Sequence, residues 1–222
     1  MKHMTTQSPF DPRIAQEEAT RGLALLRAGK DPAALDAFQR AAWMAPDDPR
    51  IQWALANTLW RVGRTADAVT VYERVIALLP DEPAPRCNLA ELLAVLGRID
   101  DARVQIASAA ALAPADPHIY LAEAVVRLAN RWPAGAEAVA RLAIASGILP
   151  KFAYLNLGDA LLAQGKISDA LATYRTARQH CVPEDLRTMR QDLDWLATVY
   201  PTLSKTTYQQ ALAIFTAEGG RG

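Results

Sequence analysis

Trp53 and Trp60 stand seven residues apart, two helical turns, so on a helix they share a face. That face is not the one carrying Leu55 and Leu59. Asn57, Arg61 and, further on, Asn88 place amide and guanidinium groups beside the two indoles. Rings supply apolar anchor area and amides hold a peptide backbone, the composition of a protein-binding hot spot. The other reading of the same rings is that they pack against the preceding helices and finish a core. Catalysis finds no comparable footing. His3, His118 and His180 form no HExxH, no serine sits in a GxSxG elbow, and no glycine-rich stretch resembles a phosphate cradle. Cys87 and Cys181 make no CxxC and lie far apart in the chain. A disulfide, which needs Cα atoms within about 7 Å, is not expected. No active site, cofactor or metal is expected.

The chain has 222 residues, is 51% hydrophobic, and balances 24 basic against 24 acidic side chains. Zero net charge disfavours a binder of nucleic acid, which works by neutralising phosphates. No apolar run approaches the roughly 20 residues of a membrane span. The opening MKHMTTQSPFDP lacks the apolar stretch of a signal peptide. A cytoplasmic location is the resulting expectation. Arginine outnumbers lysine and alanine abounds, which points to a GC-rich bacterial source.

What must position the candidate residues is a repeat. Gly29, Gly63 and Gly97 recur at a step of 34 (63 − 29 and 97 − 63), and Pro46, Pro80 and Pro114 keep the same step. A period of this length marks an array of helical hairpins. The glycines end the first helix of each hairpin, where a residue with positive φ is needed. Asp31, Thr65 and Asp100 are expected to cap the second helices. Asp48-Pro49 and Asp116-Pro117 open first helices by the same cap-then-proline arrangement. The divisions expected are a flexible tail over 1–12, five hairpins over 13–183 (15–48, 49–82, 83–116, 117–150 and 151–183), a degenerate sixth hairpin over 184–218, and a disordered end over 219–222.

Gly22, Leu25, Gly29, Ala34, Phe38, Ala41 and Pro46 in the first hairpin resemble the tetratricopeptide repeat, as do Gly158, Leu161, Gly165, Ala170, Tyr174 and Ala177 in the fifth, with Pro183 one place late. The resemblance implies an all-α solenoid of antiparallel helix-turn-helix repeats wound as a right-handed superhelix. It also implies a concave groove lined by the first helix of each hairpin, where a peptide or helix of a partner protein lies. The groove positions then fall on Arg50, Trp53, Asn57, Trp60 and Arg61 in the second hairpin, Cys87, Asn88 and Glu91 in the third, and Phe152, Asn156 and Asp159 in the fifth. Some relatives clamp a C-terminal carboxylate with two asparagines and several basic residues. Asn57 and Asn88 match the asparagines, but Trp53, His118 and Ala122 stand where basic residues belong, so that ligand is not favoured.

The fourth hairpin breaks the pattern. Glu123 and Arg127 take apolar slots and, four apart, are placed to pair. Its turn reads Asn130-Arg131-Trp132-Pro133 without glycine. Its second helix is expected to bury Ala138, Leu142 and Ala145 and to end at Pro150, an insertion of two. Drift in a loop and a change in superhelix curvature both account for this. The function expected is a non-enzymatic adaptor for a protein or peptide partner. The alternative is a non-catalytic accessory part of a bacterial enzyme, secretion or assembly system. The edge helix and the apolar last helix leave self-association open.

Overall fold

The computed structural model describes residues 12–147, 150–182 and 185–216. The expected tails at 1–11 and 219–222, and Pro183, lie outside the described residues. Among the described residues twelve helices follow in order: α1 (Pro12–Arg27), α2 (Asp31–Met44), α3 (Pro49–Arg61), α4 (Thr65–Leu78), α5 (Pro83–Val95), α6 (Ile99–Leu112), α7 (Pro117–Ala129), α8 (Pro133–Ala145), α9 (Pro150–Ala163), α10 (Ile167–Gln179), α11 (Asp185–Val199) and α12 (Lys205–Thr216). Pro12, expected in the tail, opens α1. Two compact bodies divide the chain after Pro85. In the first, α1 packs on α2, α2 on α3 and α3 on α4. In the second, α6 packs on α7 and α7 through α10 pack in sequence. There α12 covers α10 and α11, and α9 also touches both α7 and α11.

The first and fifth hairpins close on a small residue facing a ring. A methyl group on Gly22 would meet the Phe38 ring at 2.8 Å, and one on Gly158 would meet Tyr174 Cε1 at 2.4 Å. Phe38, Tyr72 and Tyr174 are fully buried. The turn between helices is also stereotyped. The amides of Lys30, Arg64, Arg98, Trp132 and Lys166 reach back to the carbonyls of Leu25, Leu59, Leu93, Arg127 and Leu161 at 2.8–3.0 Å. This is the bond that ends a helix when the residue before the donor is left-handed. Gly29, Gly63, Gly97 and Gly165 have φ between 67° and 82°.

The fourth turn follows the same rule with a different residue. Arg131 has φ 55°, the one non-glycine residue with positive φ among those described. It sits 34 residues after Gly97 and 34 before Gly165 (131 − 97 and 165 − 131). The expected insertion is therefore corrected: the register never slips. Ala136, Val139, Ala140 and Ala143 are buried in α8, whereas Ala138 and Ala145 are exposed and Leu142 is 52% exposed. Pro150 does not end α8. Gly147, at φ 71°, follows that helix, and Pro150 opens α9.

The unusual turn is held by side chains. The Arg127 Nε donates to Glu123 Oε1 at 3.0 Å and its Nη1 to the Gly135 carbonyl at 3.0 Å. Its guanidinium lies 4.7 Å from the centroid of Trp132. The expected Glu123–Arg127 pair is present, and Arg127 ties the end of α7 to the start of α8.

Expectations about caps divide by type. Asp48 accepts from the amides of Arg50 and Ile51, and Asp116 from the amide of His118. Asp31, Thr65 and Asp100 instead lie within their helices, and the preceding N-cap residues Lys30, Arg64 and Arg98 make no side-chain cap. A bound first-turn aspartate serves otherwise: Asp67 takes Arg64 at 2.6 Å and Asp101 takes Arg98 at 2.7 Å. The sixth hairpin is formed by α11 and α12, with Ser204 Oγ accepting from the Thr207 amide at the start of α12.

Gly158→Ala tests the close approach. Tyr174 cannot swing away, because its hydroxyl is bonded to Asp159 and its ring edge rests on Phe215. Alanine gains about 1 kcal/mol in helix propensity but overpacks the ring by about 1–3 kcal/mol. A net loss of stability is expected in urea denaturation, with fluorescence and circular dichroism transitions still coincident.

Candidate functional site

Helix α3 begins at Pro49 because Asp48 caps it and proline has no amide to lose there. Ile51, Leu55, Ala56 and Leu59 are buried, which fixes the rotation of the helix. Trp53 and Trp60 are then left half-buried, and Asn57, midway between them, is exposed. The rings retain accessible area, so neither is a fully enclosed core residue. Arg50 is exposed and lies 3.8 Å from its own cap, Asp48. The Asn57 Oδ1 accepts a hydrogen bond from the hydroxyl of Tyr72 on α4. This side chain is thus oriented by its own hairpin while its surface stays open.

Arg61 has a different role from the one its position implies. Its Nε is 3.0 Å from Asp31 Oδ1, and the Asp31 side chain is 1% exposed. A carboxylate so enclosed is costly unless paired. Arg61 is the partner that permits it, and so joins α3 to the start of α2.

The second body holds the remaining candidates. Asn88 and Glu91, on α5, are half-buried, and Cys87 is 2% exposed. Burial lifts the Glu91 carboxyl to about 7. Burial, then the charges of Glu91 and Asp116, push the Cys87 thiol up to about 12, so it stays protonated and unreactive. Both cysteines are free thiols. Phe152 is 42% exposed at the start of α9, with Lys151 Nζ 4.4 Å from its ring centroid. The Asn156 Nδ2 donates to the Leu121 carbonyl at 3.0 Å, which links α9 to α7. Asp159 is 6% exposed and accepts from the Tyr174 hydroxyl at 2.5 Å. Burial raises its carboxyl to about 7, against the lowering effect of that bond.

The structure therefore brings Arg50, Trp53, Asn57 and Trp60 together on one helix. It commits Arg61, Asn156 and Asp159 to bonds within their own body. Among the described residues no group of three or more His, Cys, Asp and Glu side chains is arranged to hold a metal ion. None of the described helices is long and apolar enough to cross a membrane. Asp192 on α11, a polar residue expected to face outward on the last hairpin, is instead crowded by protein and feels the charges of Asp159 and Glu91. The sixth hairpin departs too far from the repeat for its positions to follow from the 34-residue register. Sequence reasoning left Trp132 without a role, although the Arg127 beneath it was already marked by its pairing with Glu123.

Comparison with known proteins agrees with this architecture. One tetratricopeptide repeat model matches residues 59–126, and another matches 20–83 and 121–185, more than half of the chain. The protein belongs to the tetratricopeptide repeat family. A thermophilic TPR protein of Thermus thermophilus is 24% identical, with a TM-score of 0.67 over 83% of this chain and 98% of that one. A tetratricopeptide repeat protein of Parabacteroides merdae is 14% identical, with a TM-score of 0.65 over 95% and 88%. PilF of Pseudomonas aeruginosa is 18% identical, with a TM-score of 0.57 over 90% and 97%. These likenesses establish the fold. No curated protein matches the sequence.

The Arg61 assignment predicts a stability phenotype. Arg61→Ala leaves the Asp31 carboxylate enclosed without its cation, and a loss of about 2–4 kcal/mol is expected in chemical denaturation. Arg61→Ala combined with Asp31→Asn is expected to recover part of that loss. A stable Arg61→Ala protein would return the residue to the binding surface.

Proposed function

We propose that this protein is a non-catalytic scaffold whose α3 face holds a peptide or helix of a partner protein. The observation that carries this is the pair of half-exposed indoles, Trp53 and Trp60, two turns apart with the oriented amide of Asn57 between them. Tetratricopeptide repeats are in general protein–protein interaction scaffolds. In this reading the rings anchor apolar side chains of the ligand. The Asn57 amide, steadied by Tyr72, meets its backbone, and Arg50 adds charge at the rim. Phe152, with the ammonium of Lys151 beside it, is a second exposed ring on the corresponding helix of the fifth hairpin. Asn88 and Glu91, on α5, are proposed as partner contacts belonging to the second body by itself.

A scaffold of this kind serves within a larger machine. PilW, named as a type IV pilus biogenesis factor, and PilF match across about nine tenths of this chain. That supports the narrower reading of an accessory component of a bacterial assembly system.

The test is Trp53→Ala with Trp60→Ala. Anchors of this type contribute about 2 kcal/mol or more each. The double variant is expected to lose the proteins that the wild type retains from extracts of its native host, with its helical circular dichroism unchanged. Retention of the same proteins removes the proposal. Loss of helical signal assigns the rings to the core instead.

A further inference from the structure

Arg50, Trp53, Asn57 and Trp60 follow one another on α3 at steps of three, four and three, so they form a single stripe. Within that stripe the hydrogen-bonding capacity is one-sided. The Asn57 Oδ1 is taken by the Tyr72 hydroxyl of α4. The fifth hairpin has the same polarity, because there the Tyr174 hydroxyl donates to a carboxyl oxygen, that of Asp159. In both hairpins the phenol is the donor and the side-chain oxygen faces it. Asn57 is exposed, so it presents its Nδ2 outward, and among the described residues nothing accepts from that nitrogen.

A segment lying along the two rings must therefore bring an acceptor midway between them, and it gains from bringing no donor there. A helix is poorly suited, because its carbonyls are already bonded to its own amides. Polyproline II suits both demands. It makes no internal hydrogen bonds, so its carbonyls are free, and proline has no N–H to leave without a partner.

The spacing agrees. Seven residues at a rise of about 1.5 Å set Trp53 and Trp60 about 10.5 Å apart along the helix axis. Polyproline II has three residues per turn and a rise of about 3.1 Å, so side chains at i and i+3 share a face about 9.3 Å apart. Same-face side chains of a β-strand are about 6.8 Å or about 13.6 Å apart and match neither ring separation. Charge selects the flank. The Arg50 side chain is 85% exposed, about one turn beyond Trp53, with its Nε 3.8 Å from Asp48. That distance leaves the guanidinium open to a carboxylate of the ligand.

We propose that the ligand of the α3 face is a proline-rich segment in the polyproline II conformation. Prolines three apart sit on Trp53 and Trp60, a carbonyl between them accepts from the Asn57 Nδ2, and an acidic residue lies beside Arg50. This rests on the reading of that face as a partner-binding surface and specifies the class of segment it takes.

The probe is an acetylated and amidated hexaproline with glutamate at both ends, titrated into the full chain while the indole N–H signals are followed by NMR. The chain has five tryptophans, and Trp53→Phe and Trp60→Phe identify the two signals of interest. Those two are expected to move, and those of Trp43, Trp132 and Trp195 to stay. Asn57→Asp keeps an oxygen for Tyr72, as Asp159 does for Tyr174, but loses the donor, and binding is expected to weaken about tenfold. Since this change also adds charge, a hexaproline with glutamine ends is the control, and a loss of at least about fivefold is expected with it too. Arg50→Gln is expected to weaken the glutamate probe about threefold and to leave the glutamine probe unchanged. Stationary Trp53 and Trp60 signals overturn the proposal, as does undiminished binding of both probes to the Asn57→Asp protein. An alanine-rich helical peptide with leucines seven apart and the same glutamate ends is the competing probe. If it moves the two signals and hexaproline does not, the proposal fails while the α3 face stands as a surface for helices. Should Asn57→Asp fail to fold, wild-type binding of the helical probe as tight as that of hexaproline overturns the proposal equally.

Discussion

The hydrogen bond that spans each hairpin turn, from the amide after a left-handed residue to a carbonyl five residues back, is the constraint everything else obeys. It stops the first helix at a fixed point and starts the second in a fixed direction. Only then does the small residue at Gly22 or Gly158 come to lie against the ring of Phe38 or Tyr174. A hairpin alone buries little, so its stability comes from neighbours stacked in the same register. One turn of different length would rotate the next helix and expose its buried face. The fourth turn shows how strongly this is enforced. Arginine accepts φ 55° at a cost of the order of 1 kcal/mol, and Arg127 secures the geometry from the side.

This explains what can be read from the chain and what cannot. Glycines and prolines announce the repeat because backbone geometry requires them, and the repeat family, the all-α class and most helix limits follow. The fourth hairpin misleads because its signal is the missing glycine itself. Aligning on Pro150 imposes an insertion of two, whereas aligning on Arg131 requires none. The misassigned caps have a similar cause. Asp31, sitting before a proline, has the pattern of Asp48, but its carboxylate is drawn away by Arg61, which lies 30 residues further along the chain (61 − 31). Local pattern predicts local bonds; a partner from the next hairpin overrides them.

The candidate site is legible to a similar degree. Periodicity places Trp53, Asn57 and Trp60 on one face of one helix. It does not tell which residues at equivalent positions are spent on folding. Asn156 sits at a position expected to face a ligand, yet donates to the Leu121 carbonyl. In the second body α9 touches both α7 and α11, so positions expected to line a groove become packing positions there.

Asn57 and Asp159 sharpen that point. They stand three repeats apart (159 − 57 is three times 34), and so do their tyrosines, Tyr72 and Tyr174. In each case the tyrosine hydroxyl donates to the side-chain oxygen. The geometry is the same and the thermodynamics are not. An amide has no proton to lose near neutrality, so the Asn57 bond is indifferent to pH. The carboxyl of Asp159 is identical in shape, deeper in protein and near other acids, so its bond is tied to proton concentration. If the oxygen were needed only to receive a phenol, asparagine would serve in both hairpins with no electrostatic cost. The second hairpin demonstrates that it does. A carboxyl at this position in the fifth hairpin therefore carries a desolvation cost that the geometry of the repeat does not itself require.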